Sequence, residues 1–375
     1  MIGLNIGNTW DYALLEGIRA IHDKYETSVR VTELYGSIAQ DPLGSARPDY
    51  RLPTKTTEDL VLYTHEAHKM GLQVNFTANV PCTGTLADLE RRLTSIRNHL
   101  RFLEDLGVDR ITVSHPLLME IVTQETSIPI EVSTICHVNS ISEIKFYATE
   151  FQVDRICMNI YRNRDIGFLR DAQGLAESLN IKLELIVNEF CNTNGSPCVY
   201  RSSCFNLHGH QGNQEKLFDN YPFGRCIKHR TNPVNWLQAR FILPEDLDRY
   251  RERTGITRFK VTGRTHPTVH LLKIVECYVR QKSPKNLLDL WIHLENIGRH
   301  YDDYEKEPPL YIPTDPLITA SFTDKWFMRD FRCSEECNRL KRPCTHCHDV
   351  WSKIQDSLAV AAESPPGQTE GGLIL

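Results

Sequence analysis

Ile2-Gly3-Leu4-Asn5-Ile6, running into Gly7-Asn8-Thr9-Trp10-Asp11, opens the chain as a short apolar strand followed by a polar turn. An open, doubly wound sheet normally places a glycine-rich phosphate turn after its first strand, and this turn has none. Seven more short runs rich in apolar residues follow: Val29 to Leu34, Leu72 to Ala78, Arg110 to Ser114, Ile128 to Ser133, Arg155 to Ile160, Lys182 to Val187 and Arg258 to Thr262. Between them, stretches such as Thr57 to Met70, Leu86 to Leu106, Ile141 to Thr149 and Phe168 to Leu179 repeat apolar residues every three or four positions, the period of a half-buried helix. Eight strands alternating with helices predict an α/β fold, a parallel sheet closed as a (β/α)8 barrel. Such barrels place their active sites at the carboxyl ends of the strands.

The rhythm breaks twice. The first break is the long connection at 189–243, between the seventh and eighth strands, and long irregular loops in compact domains are usually functional. Helices are predicted near Pro244 to Arg253, Pro267 to Arg280 and Pro284 to Arg299, then a bridge, Glu307-Pro308-Pro309-Leu310-Tyr311-Ile312-Pro313. The expected organisation is a barrel over 1–300, a cysteine-rich appendage over 301–360 and a disordered tail over 361–375, where Ser364-Pro365-Pro366-Gly367-Gln368 is rich in turn formers. Forty-three basic and 48 acidic residues give a net charge of -5, so there is no polycationic excess and a nucleic-acid substrate is not favoured. The amino terminus reads as a strand rather than a leader, and no apolar run reaches the roughly 18 residues of a membrane span, so a cytoplasmic protein with no membrane partner is expected.

Twelve cysteines in such a chain point to metal or catalysis rather than disulfides. Cys82, Cys136, Cys157 and Cys277 stand alone in apolar or element-like surroundings and read as small packing residues. The others form two sets of four: Cys191, Cys198, Cys204 and Cys226, then Cys333, Cys337, Cys344 and Cys347. Cys191 falls just past the carboxyl end of the seventh strand, on the face where barrels place their chemistry. Soft thiolates select zinc or iron-sulfur. Unequal spacings in an active-site loop suit a cluster better than a compact zinc knuckle, while a structural zinc on Cys191 and Cys198 with His208 or His210 is the plainer alternative. In the second set, Cys333 and Cys337 fall one helical turn apart and Cys344-Thr345-His346-Cys347 supplies a Cys-x-x-Cys turn. Iron-sulfur and zinc serve equally well there.

The eighth strand ends in Thr262-Gly263-Arg264, which puts a guanidinium beside the loop where barrels often bind anions. Arg264 is a candidate for gripping a carboxylate, and an internal salt bridge with a neighbour such as Glu189 is its plain alternative. Arg47 and Arg51, after the second strand, rank behind it. No zinc-protease helix, nucleophile elbow, phosphate loop or radical-initiator cysteine triad is present, so standard hydrolase chemistry has no motif to rest on.

Phe241-Ile242-Leu243-Pro244-Glu245-Asp246-Leu247 through Tyr250, Thr254-Gly255-Ile256 and Phe259-Lys260-Val261-Thr262-Gly263-Arg264, together with Cys191 and Cys198-Val199-Tyr200-Arg201, resemble the collagenase-like peptidase family of unassigned catalytic type, family U32. The resemblance runs from Ile128 to about Arg280. It implies a 4Fe-4S cluster on a barrel and, in several relatives, oxygen-independent hydroxylation with prephenate as oxygen donor; other relatives carry the peptidase label. Val199 and Cys204 depart from the family pattern, which has proline and histidine there. The short cysteine-rich appendage is expected to stand where the RNA-modifying relatives carry an additional carboxyl-terminal domain.

These readings combine into an iron-sulfur oxidoreductase acting on a small molecule or peptide. Cys191, Cys198, Cys204 and Cys226 hold its cluster, Arg264, Arg201 and Glu189 serve as catalytic-site residues, and an electron-donor protein or related barrel subunit is the expected partner. Cys333, Cys337, Cys344 and Cys347 hold a second cluster or zinc. A metal-dependent or cysteine-rich peptidase and a zinc-stabilised binding scaffold are the alternatives.

Overall fold

The computed structural model describes residues 1–39, 41–189, 232–291, 311–314, 322–329 and 331–363, with side chains to residue 356. Eight parallel strands close into one barrel in chain order. They are β1 (Ile2–Gly7), β2 (Val29–Gly36), β3 (Gln73–Ala78), β4 (Arg110–Val113), β5 (Ile130–Val132), β6 (Val153–Cys157), β7 (Lys182–Ile186) and β8 (Arg258–Val261). Helices α1 (Tyr12–Lys24), α2 (Thr57–Lys69), α3 (Leu86–Asp105), α4 (Pro116–Glu125), α5 (Ile141–Glu150) and α6 (Ile166–Ser178) each follow a strand, and a helix over Thr268–Val279 follows β8. The predicted (β/α)8 barrel is the observed architecture.

Local chemistry sets these elements. Thr56 with Asp59, Thr85 with Asp88 and Ser140 with Glu143 close reciprocal capping boxes that start α2, α3 and α5. Strand side chains alternate, so Leu4, Leu34, Val74, Ile111, Ile130, Ile156, Leu183 and Phe259 face the helices and form the main core with them. The register places Asn5 opposite Glu33 and Lys260, and Glu131 opposite Arg155, on the other face of the same strands, inside the barrel.

Three of the boundaries that differ from expectation have a clear cause or consequence. The sixth strand ends at Cys157, because Asn159 accepts a hydrogen bond from Tyr161 N and starts a 3-10 turn over Ile160–Arg162. The segment expected as a helix from Pro284 begins instead with a 3-10 turn, Leu287–Leu290, whose cap Asn286 accepts from both Leu288 N and Ile312 N; residues 292–300 lie outside the described residues. A helix over His346–Glu363 carries 361–363, so the expected disorder does not begin at 361, and 364–375 lie outside the described residues. The appendage shares the barrel's core, to which it contributes Phe322, Trp326, Val350 and Ile354. No described helix is long and apolar enough to cross a membrane.

Candidate active site and metal centre

Inside the barrel, where hydrophobic layers are usual, lies a buried ion network. Arg155 Nη1 reaches Glu33 at 2.7 Å, Glu184 at 3.3 Å and Glu131 at 3.4 Å, all four side chains being fully buried. Lys260 Nζ donates to Glu131 and lies 3.1 Å from Glu184, while Arg110 pairs with Glu33 at 2.7 Å and with Asp154. Asn75 donates to Glu33 and Glu131, and Asn5 to Glu184. Burial and the neighbouring Glu184 push the Glu131 carboxyl up to about 7 against the pull of Lys260 and Arg155. Burial also acts upward on Glu184, but Lys260, Arg155 and the hydrogen bonds from Lys260 and Asn5 outweigh it and hold it at about 2.

Glu131, Cys157 and Glu184 place ligand atoms within 4.8 Å of one another, a spacing that suits a metal. The cation between these carboxylates is Lys260, whose charge burial disfavours but Glu131 and Glu184 restore, so the trio is already neutralised by the protein. None of this network was anticipated as a site.

Above it, at the carboxyl ends of β8 and β2, sits Arg264. Its backbone lies against Gly7, where an added Cβ would fall 2.4 Å from Arg264 N, and Gly263 turns the chain at φ +142°, a conformation that disfavours side chains. Arg264 is buried and donates to Ser37 Oγ and Ser45 Oγ, both at 2.9 Å. The salt bridge to Glu189 does not form; among the described residues no carboxylate lies within ion-pair distance of Arg264. Burial and the neighbouring Arg47 push the guanidinium down to about 9 against Tyr35 and Asp41. Asp41 is itself pushed up to about 7 by burial, against a hydrogen bond from Leu43 N. Arg264 and Arg47 thus lie close together at the mouth, and no described carboxylate pairs directly with Arg264. Arg47 donates to Ala46 O, and Arg51 lies on the 3-10 turn Asp49–Arg51.

Glu189 lies just past β7, half-buried. Cys191, Cys198, Arg201, Cys204, His208, His210 and Cys226 lie outside the described residues. The two ends of their loop are both at the barrel mouth: Asn188 bonds to Thr262, and Ile242 N donates to Val187 O. Of the solitary cysteines, Cys157 is buried within the barrel and Cys136 donates to Ser114 O, but Cys82 is exposed rather than packed.

The second cysteine set is gathered on the same face. Cys333 and Cys347 are buried and Cys337 and Cys344 half-buried. Arg240 donates to Cys333 Sγ and, at 3.2 Å, to Cys333 O; Cys347 Sγ lies 3.5 Å from Leu237 O. A hydrogen bond from Cys333, aided by Arg240, draws Cys337 down to about 6 against burial. Arg164, in the loop after β6, is fully buried and faces Cys333 and Cys347. Sequence reasoning found these cysteines but neither arginine.

A sequence profile of Peptidase family U32 matches residues 43–284. The chain belongs to peptidase family U32. An uncharacterized protease of Methanocaldococcus jannaschii is 24% identical over 298 residues, covering 79% of this chain and 81% of that protein. A solved U32 peptidase is 16% identical, with a TM-score of 0.48 over 70% of this chain and 93% of its own. A GH113 β-1,4-mannanase is 11% identical, with a TM-score of 0.40 over 80% of this chain and 98% of its own. The matched span of this U32 chain includes Arg47 and Arg264 at the mouth and Arg164 and Arg240 beside it, and stops short of Cys333.

Proposed function

We propose that this U32 protein is an iron-sulfur enzyme that binds a carboxylate-bearing small molecule at the barrel mouth and carries out an oxygen-independent hydroxylation or related redox modification. The observation that carries the reading is Arg264, a buried guanidinium at the catalytic end of β8 whose partners are two serine hydroxyls and whose near neighbour is a second arginine. A carboxylate entering the mouth supplies the missing charge and pairs with the guanidinium fork. Ser37 and Ser45 fix the plane of that fork. Cys191, Cys198, Cys204 and Cys226 hold the 4Fe-4S cluster in this reading, in the loop whose two ends are at the mouth, and the cluster supplies one-electron transfer there. Arg201 and Glu189 belong to the same loop and orient the substrate with Arg264. Prephenate is the proposed oxygen donor and an electron-donor protein the partner.

Peptide hydrolysis is the second reading, favoured by the name of the family and of the archaeal relative. One variant separates the two. Anaerobically purified Cys191→Ser should lose iron and sulfide from the first site and lose activity, with its far-ultraviolet circular dichroism unchanged. Persistent, chelator-insensitive peptide cleavage by the folded variant would overturn the redox reading and leave the peptidase one.

A further inference from the structure

We infer that Cys333, Cys337, Cys344 and Cys347 bind a soft metal centre, zinc or an iron-sulfur cluster, as a dianionic tetrathiolate whose counter-charges are Arg164 and Arg240 of the barrel. The inference is independent of the chemistry proposed for the mouth.

Backbone geometry places the four thiols on one side of the appendage, although no three of their sulfurs lie within 4.8 Å of one another before a metal draws them in. The short helix Cys333–Glu336 is held by Asp165 at the start of α6, which accepts from Ser334 N at 3.0 Å and from Ser334 Oγ. Cys337 follows one turn later, and Cys344 N donates to Glu336 O at 3.0 Å, which folds the second pair of thiols back towards the first. Cys347 enters from the first turn of the helix His346–Glu363 and points at Leu237 O.

The charge around them is the deciding feature. Arg164 is fully buried, and its guanidinium lies 4.1 Å from the ring centre of Trp326, 4.8 Å from that of Phe241 and 5.2 Å from that of Phe322. Those rings cover the faces of the guanidinium and leave its in-plane N–H groups to find acceptors. One does, Nη1 to Leu237 O at 2.9 Å; Nε and Nη2 have no hydrogen-bond partner, and no carboxylate among the described residues is within ion-pair range. Cys347 Sγ lies 3.5 Å from the same carbonyl, Leu237 O, which places the Arg164 guanidinium beside the thiols. Arg240, almost as deeply buried, donates to Cys333 Sγ and, at 3.2 Å, to Cys333 O.

Neutral thiols bring no charge to the buried Arg164 guanidinium, whereas thiolates on a metal do. As each metal–sulfur bond forms, one thiol proton leaves to solvent. Zinc with four thiolates and an oxidised 4Fe-4S cluster with four thiolates both carry two net negative charges, which two guanidinium groups neutralise. The site is thus shared: its ligands come from the appendage and its counter-ions from the loops after β6 and β7. Asn163, next to Arg164, donates to both Ile186 O and Arg240 O at 2.7 Å, which ties those loops to the carboxyl end of β7. Metal binding therefore seats the appendage on the catalytic face of the barrel.

The test measures zinc, iron and sulfide on the anaerobically purified full chain, on Cys344→Ser/Cys347→Ser, and on Arg164→Met and Arg240→Met. The double cysteine variant should lose one zinc ion or one four-iron cluster relative to wild type, while the metal lost by Cys191→Ser is retained; which metal disappears identifies the centre. Arg164→Met and Arg240→Met should each weaken retention of that metal against a chelator by about 10- to 100-fold. The effect of Arg164→Met on the unfolding midpoint should also change sign. It lowers the midpoint in the metal-loaded wild type and raises it in the cysteine variant, where the arginine has lost its counter-charge. Equal metal in wild type and cysteine variant, or the same shift from Arg164→Met in both backgrounds, would overturn the inference.

Discussion

Two regions of this molecule bury positive charge and treat it in opposite ways. Inside the barrel, Arg155, Lys260 and Arg110 are met by Glu33, Glu131, Glu184 and Asp154, with Asn5 and Asn75 using spare lone pairs. At the carboxyl face, Arg264 is met by serine hydroxyls and Arg164 by a carbonyl, three aromatic rings and thiols. Cations that already pair with carboxylates leave an added anion little to neutralise, and the network ties the strands together. A buried cation that no described carboxylate pairs with is where we propose that an anionic ligand binds. The comparison explains why the metal-like trio of Glu131, Cys157 and Glu184 is the poorer candidate although its ligand atoms lie within 4.8 Å of one another.

The largest expected effect comes from breaking the closed side. Arg155→Met leaves three buried carboxylates sharing Lys260 and Arg110, and removing one partner of a buried pair costs about 3–5 kcal/mol. Equilibrium denaturation should show that loss with metal content per folded molecule unchanged. A variant as stable as wild type would mean that the interior is not the balanced network its distances imply. Arg155→Met together with Glu33→Gln should recover part of the loss, because a negative charge is removed along with the positive one.

The same comparison shows what was legible in the sequence. The barrel's outer layer was, since Leu4, Leu34, Ile111, Ile156 and Phe259 fall at strand period in short apolar runs. The ion network was not. Glu33, Glu131, Glu184 and Lys260 alternate with apolar neighbours, and in an isolated strand that pattern reads as one buried and one solvated face. Only closure of the sheet turns the second face into an interior. Arg264 was found because it follows the eighth strand, at the end of the barrel where anions are often bound. Arg164 and Arg240 were missed because an arginine in a loop reads as solvated; their burial depends on Phe322, Trp326 and the appendage cysteines, which are far away in sequence.

A smaller effect sharpens the open side. Arg264→Lys keeps the charge but loses the planar fork that Ser37 and Ser45 hold. Prephenate binding, followed by calorimetry, should weaken by about 10- to 100-fold, which is roughly 1.4–2.7 kcal/mol, while the unfolding midpoint moves little. Unchanged affinity with a lowered midpoint would make Arg264 a structural residue like those of the interior.

The smallest effect is in pH. Asp41 is the carboxylate near Arg264, and burial pushes it up to about 7, although Leu43 N donates to it at 2.9 Å. His99 Nε2 lies 3.4 Å from its Oδ1 but is pushed down to about 4 by burial, so at neutral pH it brings no positive charge. Below pH 7 Asp41 is mostly neutral and Arg264 is available to an external anion. As the pH rises through 7, Asp41 ionises and competes for the same guanidinium, so prephenate affinity should fall, by no more than about tenfold. Stability follows the same sign: the folded-state pKa lies above the unfolded one, so the native protein binds more protons between roughly pH 4 and 7, and this contribution is lost as the pH rises across that window. Asp41→Asn removes the titrating group but keeps the shape of the site, and should flatten both profiles. Calorimetric titrations at pH 6 and pH 8 on the two proteins decide it; an affinity that falls equally in wild type and Asp41→Asn would place the titrating group elsewhere and return Asp41 to the role of a buried, neutral loop anchor.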